Sequence, residues 1–321
     1  MIKKNKNSRS KLQSQAIIVI GMHRSGTSAL SGELSRLGVF MGKHLLKPQK
    51  GVNDKGFYEN ARLLKLNEQL LDRVHLSWDH PLLPPTLPES ISETFKRRAI
   101  RFVRQEYESA SLWGMKDPRV SMLLPFWHQV FLASAIEPVY VLMIRHPLEV
   151  AASLQKRDGF SRDKGLMLWL NYNFFSYLYS LQSRRVIIDF ESLLDNPNAM
   201  IRPLMEQLAI TPVNDSDNCF IDRSLKRQLS ADSNAKGILA NMAMDLYRAI
   251  NRNDRHEVEC LFKQYQVFQS SLHPVLKEHL RQVKADEVHF RNRFESLYDS
   301  LTWQLIRPLK KLESLLTSKQ F

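Results

Sequence analysis

A run of five apolar, mostly β-branched residues, Ala16 to Ile20, passes directly into Gly21-Met-His-Arg-Ser-Gly-Thr-Ser28 and then into an amphipathic stretch ending near Leu37. No other feature constrains the chain as tightly, because it specifies a buried strand, a tight loop and a helix in immediate succession. A loop in that position aims free backbone N–H groups and the positive end of the helix dipole at whatever fills its mouth, which favours phosphate. The spacing from Gly21 to Gly26 matches the start of the G-x-x-x-x-G-K-[ST] pattern, but Thr27 stands where that pattern has its lysine. Ser28 keeps the magnesium-binding hydroxyl, yet a kinase or NTPase would lack its central γ-phosphate cation. Arg24 instead places a cation inside the loop. With His23, Ser25, Gly26, Thr27 and Ser28 around it, the set suits an anionic group that needs binding but no metal.

The rest of the chain reads as an α/β protein. Helical periodicity opens at Asn60 and again over about Ser90 to Ala110, either side of Pro81, Pro84, Pro85 and Pro88. A short segment, Leu112 to Met115, leads into Lys116-Asp-Pro-Arg119. Val139 to Ile144 is a second clear buried strand, with Arg145 at its end and Pro147 placed for the first turn of a helix. An aromatic helix over about Asp163 to Gln182, a strand at Val186 to Ile188 and a helix over Asn198 to Leu208 follow. This alternation predicts a P-loop-like parallel sheet flanked by helices, with a helical C-terminal extension. The expected organisation is a basic tail over 1–15, an α/β core over 16–215 and a helical region over 216–321. That last region is expected either to append to the core or to serve association.

Four segments carry a family resemblance. GMHRSGTSAL resembles the 5′-phosphosulfate loop of sulfotransferases, particularly the bacterial and carbohydrate-directed branch in which arginine precedes Ser-Gly-Thr. VYVLMIRHPLEVAASLQKRDG is similar to the family's 3′-phosphate segment, KGFYEN to the segment that carries a glutamate base, and Trp113-Gly-Met-Lys-Asp-Pro-Arg119 to a further family motif. The resemblance implies 3′-phosphoadenosine 5′-phosphosulfate (PAPS) as donor, 3′-phosphoadenosine 5′-phosphate (PAP) as product and no metal. It implies that His23, Arg24, Ser25, Gly26, Thr27 and Ser28 hold the phosphosulfate, that Arg145 and Ser153 hold the 3′-phosphate, and that Glu59 is the general base. Lys116 would stabilise negative charge on the transferring group. Glu59 has a second reading as a cap of the helix opening near Asn60, and Asp117 with Arg119 reads best as a structural pair. Arg157 is either a nucleotide-side cation or a surface residue; Asp79 and His80, beside Trp78, are weaker candidates for an acceptor pocket.

The chain of 321 residues has a formal net charge of +13, which favours an anionic partner. Neither a basic base-contacting helix nor a stacking motif accompanies that charge, so nucleic acid is not expected. Two cysteines, Cys219 and Cys260, support neither a disulfide framework nor a zinc site, and a reducing cytoplasm fits. The basic start lacks the apolar segment of a signal peptide, and the apolar runs are too short to span a bilayer. Ser300 to Leu309 resembles a short tail on bacterial enzymes of surface-polysaccharide assembly, which implies a saccharide acceptor and a peripheral membrane or assembly partner. Two other function classes stay open: a nucleotide kinase or NTPase, and a non-catalytic polyanion- or membrane-associated protein with the same fold.

Overall fold

The structure is a computed structural model, and it describes residues 15–48, 56–83, 87, 89–207, 221, 237–272 and 274–300. The basic start and the tail motif after Ser300 lie outside the described residues. In chain order the elements are β1 (Gln15–Ile20), α1 (Thr27–Arg36), α2 (Ala61–Asp72), α3 (Glu89–Tyr107), β2 (Leu112–Lys116), α4 (Arg119–Met122), α5 (Leu124–Ala133) and β3 (Pro138–Ile144). They continue with α6 (Pro147–Asp158), α7 (Arg162–Tyr179), β4 (Arg185–Asp189), α8 (Phe190–Asp195), α9 (Pro197–Gln207), α10 (Ile238–Asn251), α11 (Arg255–Ser271) and α12 (Pro274–Asp299).

The four strands form one parallel sheet in the order β2-β1-β3-β4. Central β1 and β3 are buried on both faces, so they read as unbroken apolar runs and not as alternation. Their side chains still divide by parity. Ile18, Ile20, Tyr140, Leu142 and Ile144 join the larger core with α2, α3, α5, α7, α10 and α11. Ile17, Val19, Val139, Val141 and Met143 join the smaller core under α1, α8 and α9. Helices α10 and α11 therefore share the main core, through Ala243, Leu246, Val258 and Tyr265, whereas α12 meets the body through buried Val288 and an Arg291–Asp72 ion pair of 3.3 Å. Among the described residues, no helix is long and apolar enough to cross a membrane.

Several boundaries differ from the sequence-based expectation for local reasons. Helix α3 ends at Tyr107, which is buried and stacks on Trp113 at 4.2 Å; the chain then turns through Ala110 N–H to the Tyr107 carbonyl. The segment after it is a full strand, β2, paired with β1 along its length. The α2 cap is Asn60 itself, whose side chain accepts from Arg62 N at 2.9 Å and Leu63 N at 3.3 Å while donating to buried Glu106 at 2.7 Å. Glu59 is thus released from capping. Asn60→Ala should cost about 2 kcal/mol in urea denaturation, the upper part of the range for a lost N-cap, because Glu106 also loses a donor. A change below a few tenths of a kcal/mol would show that water replaces the cap fully.

Candidate functional site

Because β1 neighbours both β2 and β3, the loops leaving the carboxyl ends of these three strands converge, at the kind of switch point where open α/β sheets bind ligands. The loop after β1 begins at Gly21, whose N–H donates to Ser121 Oγ at 2.9 Å, tying it to α4. Arg24 has φ 68° and Gly26 φ 89°, both in the left-handed region. Gly26 is the N-cap of α1 and gives no side-chain cap. The first-turn N–H groups at Thr27 and Ser28 are left for an anion at the helix mouth.

Residues far apart in sequence lock together across this loop. The Arg24 side chain donates from Nε to Ser153 Oγ at 3.0 Å, and Arg145 Nη1 donates to the Arg24 carbonyl at 3.1 Å. Arg145, just beyond β3, is itself aimed by Glu149, one turn along α6, through Nε at 2.9 Å, and its guanidinium lies 4.6 Å from the Phe190 ring centroid. The three residues assigned by sequence to the two ends of a nucleotide are thereby one connected cluster.

On the opposite side, Lys116 at the end of β2 is buried, and its Nζ donates to Glu59 Oε1 at 2.5 Å, to Ser28 Oγ at 3.1 Å and to the Phe57 carbonyl at 3.1 Å. Ser28 Oγ also donates to that carbonyl, at 3.2 Å. One ammonium thus joins the base candidate, the start of α1 and the segment entering α2. Tyr58, at φ 55°, makes the turn that swings Glu59 inward.

Asp117 and Arg119 are framework. Fully buried Asp117 accepts from Arg119 N and Nη1, both at 3.0 Å, and from Asn67 Nδ2 at 3.0 Å, while Asn67 in turn receives Trp127 Nε1 at 3.0 Å. Arg119 completes the link to α2 through Glu68 at 3.1 Å, and the Asp117 carboxylate beside it holds its guanidinium charged.

The cleft between these groups has a volume of about 350 Å³, and its wall includes His23, Arg24, Gly26, Thr27, Ser28, Glu59, Lys116, Arg145 and Ser153. Every sequence-assigned site residue but Ser25 is on that wall. Ser25 is fully buried, its hydroxyl has no hydrogen-bond partner among the described residues, and it does not line the cleft. His23 packs against Trp78 at 4.6 Å between ring centroids and against the edge of Tyr172 at 5.7 Å. Burial first, then the charges of Arg119, Arg157, Lys116 and Arg24, push its pKa well below the ordinary imidazole range, so the ring is neutral at pH 7.

Arg157 also reaches the wall, its Nε held by Asp158 at 2.9 Å and its guanidinium 5.3 Å from the Trp78 ring centroid. Asp79 is engaged by Lys164 at 2.8 Å and Ser77 at 2.7 Å, and burial lowers the pKa of His80 to about 4; neither lines the cleft, while their neighbour Trp78 does. Sequence reasoning missed Ser121, Glu149 and Phe190, which act on the site by fixing Gly21 and Arg145. For Phe190 the sequence offers one signal, its place just beyond the expected strand at Val186 to Ile188.

No family model matches the sequence, and no curated protein matches it. Among solved structures, the chain is similar to the sulfotransferase domain from the Synechococcus PCC 7002 olefin synthase, at 15% identity over 78% of this chain and 98% of that one, with a TM-score of 0.47. It is also similar to the sulfotransferase domain from the curacin biosynthetic pathway, at 15% identity over 71% of this chain and 82% of that one, with a TM-score of 0.38.

Proposed function

We propose that this protein is a sulfotransferase that moves the sulfuryl group of PAPS to an acceptor hydroxyl, with a saccharide as the favoured acceptor. The observation that carries the reading is the link from Arg24 to Ser153 and Arg145, because it puts the loop cation and the 3′-phosphate pair in one cluster on one cleft. Arg24, Thr27, Ser28 and the N–H groups opening α1 hold the 5′-phosphosulfate; Arg145 and Ser153 hold the 3′-phosphate. The acceptor oxygen forms a bond to sulfur as the bond from sulfur to the bridging phosphate oxygen breaks. The acceptor proton passes to Glu59, and PAP leaves with the charge that Lys116 and Arg24 face. Lysine, arginine and amide donors suffice to offset that charge, so the scheme requires no metal.

Calorimetric titration with PAP tests this, with ATP plus magnesium as the parallel control. Micromolar PAP binding is expected, weakened more than tenfold in Arg24→Ala and in Arg145→Ala, since each loses hydrogen bonds to a charged group. A folded protein that binds ATP and not PAP would overturn the assignment.

A further inference from the structure

Helices α2 and α3 lie side by side and antiparallel. Asn60 at the start of α2 meets Glu106 near the end of α3, and Gln69 near the end of α2 receives Arg98 Nη2 at 2.6 Å. Their outer surface is basic. Arg62 and Lys65 on α2 and Arg98, Arg101 and Arg104 on α3 are all exposed, and exposed Lys43 continues the series where its Nζ donates to the Gln105 carbonyl. From Thr94 to Gln105, α3 carries no acidic residue.

Exposed Glu89 and Glu93, the latter paired with Lys96 at 3.1 Å, sit in the first turns of α3, and the other acidic side chains of this helix pair are engaged away from the ridge or at its edge. Glu68 pairs with Arg119, Asp72 with Arg291, and Glu106 is buried under Asn60 and His44; exposed Glu108 lies 3.6 Å from Arg104. The ridge also has a direction. Its end at Arg62 is three residues from Glu59, which immediately precedes the α2 cap and lies on the cleft wall.

We infer that this ridge is a binding track for an anionic polysaccharide acceptor, which it leads to Glu59; the inference rests on the proposed sulfotransferase reading. Charge and composition favour this partner over a nucleic acid or a lipid bilayer. Among the described residues, none of the strongly exposed large apolar side chains lies on α2 or α3, so the ridge has neither a stacking platform for bases nor a wedge to enter lipid. A polyanion followed by exposed cations releases counterions, and the contact therefore weakens steeply with salt.

The test compares full-length wild type with a variant carrying Arg62→Gln, Lys65→Gln, Arg101→Gln and Arg104→Gln. A control carries Arg248→Gln, Arg252→Gln, Arg255→Gln and Lys263→Gln, which removes the same charge from exposed positions on α10, α11 and the turn between them. Heparin is the probe. Vesicles of equimolar phosphatidylglycerol and phosphatidylcholine, and single-stranded polyuridylate, are the comparisons.

The ridge variant is expected to lose at least about tenfold in heparin affinity at low salt, with a shallower salt dependence, while the control changes less than about twofold. The two double variants, one on each helix, should each show part of the loss. Equal losses in ridge variant and control, or wild-type binding to vesicles or polyuridylate as tight as to heparin, would overturn the inference. PAP titration of the same proteins keeps the readings apart. Ridge-independent heparin binding with normal PAP affinity sinks the track alone, whereas absent PAP binding with ridge-dependent heparin binding sinks the sulfotransferase assignment and leaves the polyanion surface standing.

Discussion

Glu59→Gln is expected to leave PAP affinity within about twofold of wild type and to lower sulfuryl transfer by about a hundredfold or more, the usual contribution of a general base. Glutamine is the informative replacement because its carbonyl can still accept the Lys116 hydrogen bond that Oε1 takes in the wild type at 2.5 Å. The ammonium thus stays fixed to Ser28 and the Phe57 carbonyl, and what is removed is the basic oxygen that receives the acceptor proton. Glu59→Ala would confuse two effects, since Lys116 is only 3% exposed and would be left as a buried cation without its counter-charge. Turnover is read as PAP release from PAPS with an acceptor identified by screening wild type, beside a PAP titration of the variant. Unimpaired turnover in Glu59→Gln would place the base elsewhere, and neutral His23, on the same cleft wall, would be the residue to replace next.

The legible parts of this protein are those where one physical cause acts locally. Ala16 to Ile20 and Val139 to Ile144 stand out because both faces of a central parallel strand are buried. Arg145 stands out because a cation directly after such a strand sits where ligands bind. Strand β2 is harder to read because Gly114 interrupts it. A side chain there would meet the Met41 sulfur at 2.5 Å, because the chain at Phe40 pairs alongside Trp113 as a parallel bridge, and that pairing is invisible without the tertiary structure.

The same limit applies to Ser25 and Phe190. Motif spacing places Ser25 among the loop hydroxyls, but the direction of its side chain depends on the left-handed turn at Arg24, a conformation propensity does not predict for arginine. Phe190 belongs to the site because β4 lies beside β3, which brings its ring under Arg145 and against Gly26. The bond between Arg24 and Ser153, across 129 residues, likewise follows from β1 and β3 being neighbours, a matter of strand order that no local pattern encodes.

Strand order also makes Gly21→Ala a damaging substitution in the loop. Gly21 has φ +138°, a conformation L side chains rarely adopt, and an added Cβ would lie 2.3 Å from the Met143 carbonyl oxygen. That atom belongs to the backbone of β3, which is hydrogen-bonded on both sides by β1 and β4 and cannot yield as a flexible side chain would. Conformational strain of about 1–2 kcal/mol and overpacking of about 1–3 kcal/mol together give an expected destabilisation of about 2–5 kcal/mol in urea denaturation. Gly159→Ala separates the two causes. Gly159, the C-cap of α6, has φ +72° but nothing within 4 Å of an added Cβ, so strain alone should cost about 1–2 kcal/mol. Any Gly21→Ala protein that folds should also bind PAP weakly, because relief of the clash requires the loop to move off β3 and carry the Arg24 carbonyl away from Arg145. Equal stabilities for the two variants would mean that the loop shifts at no cost, and that the close approach of Gly21 to β3 does not hold the phosphate loop in place.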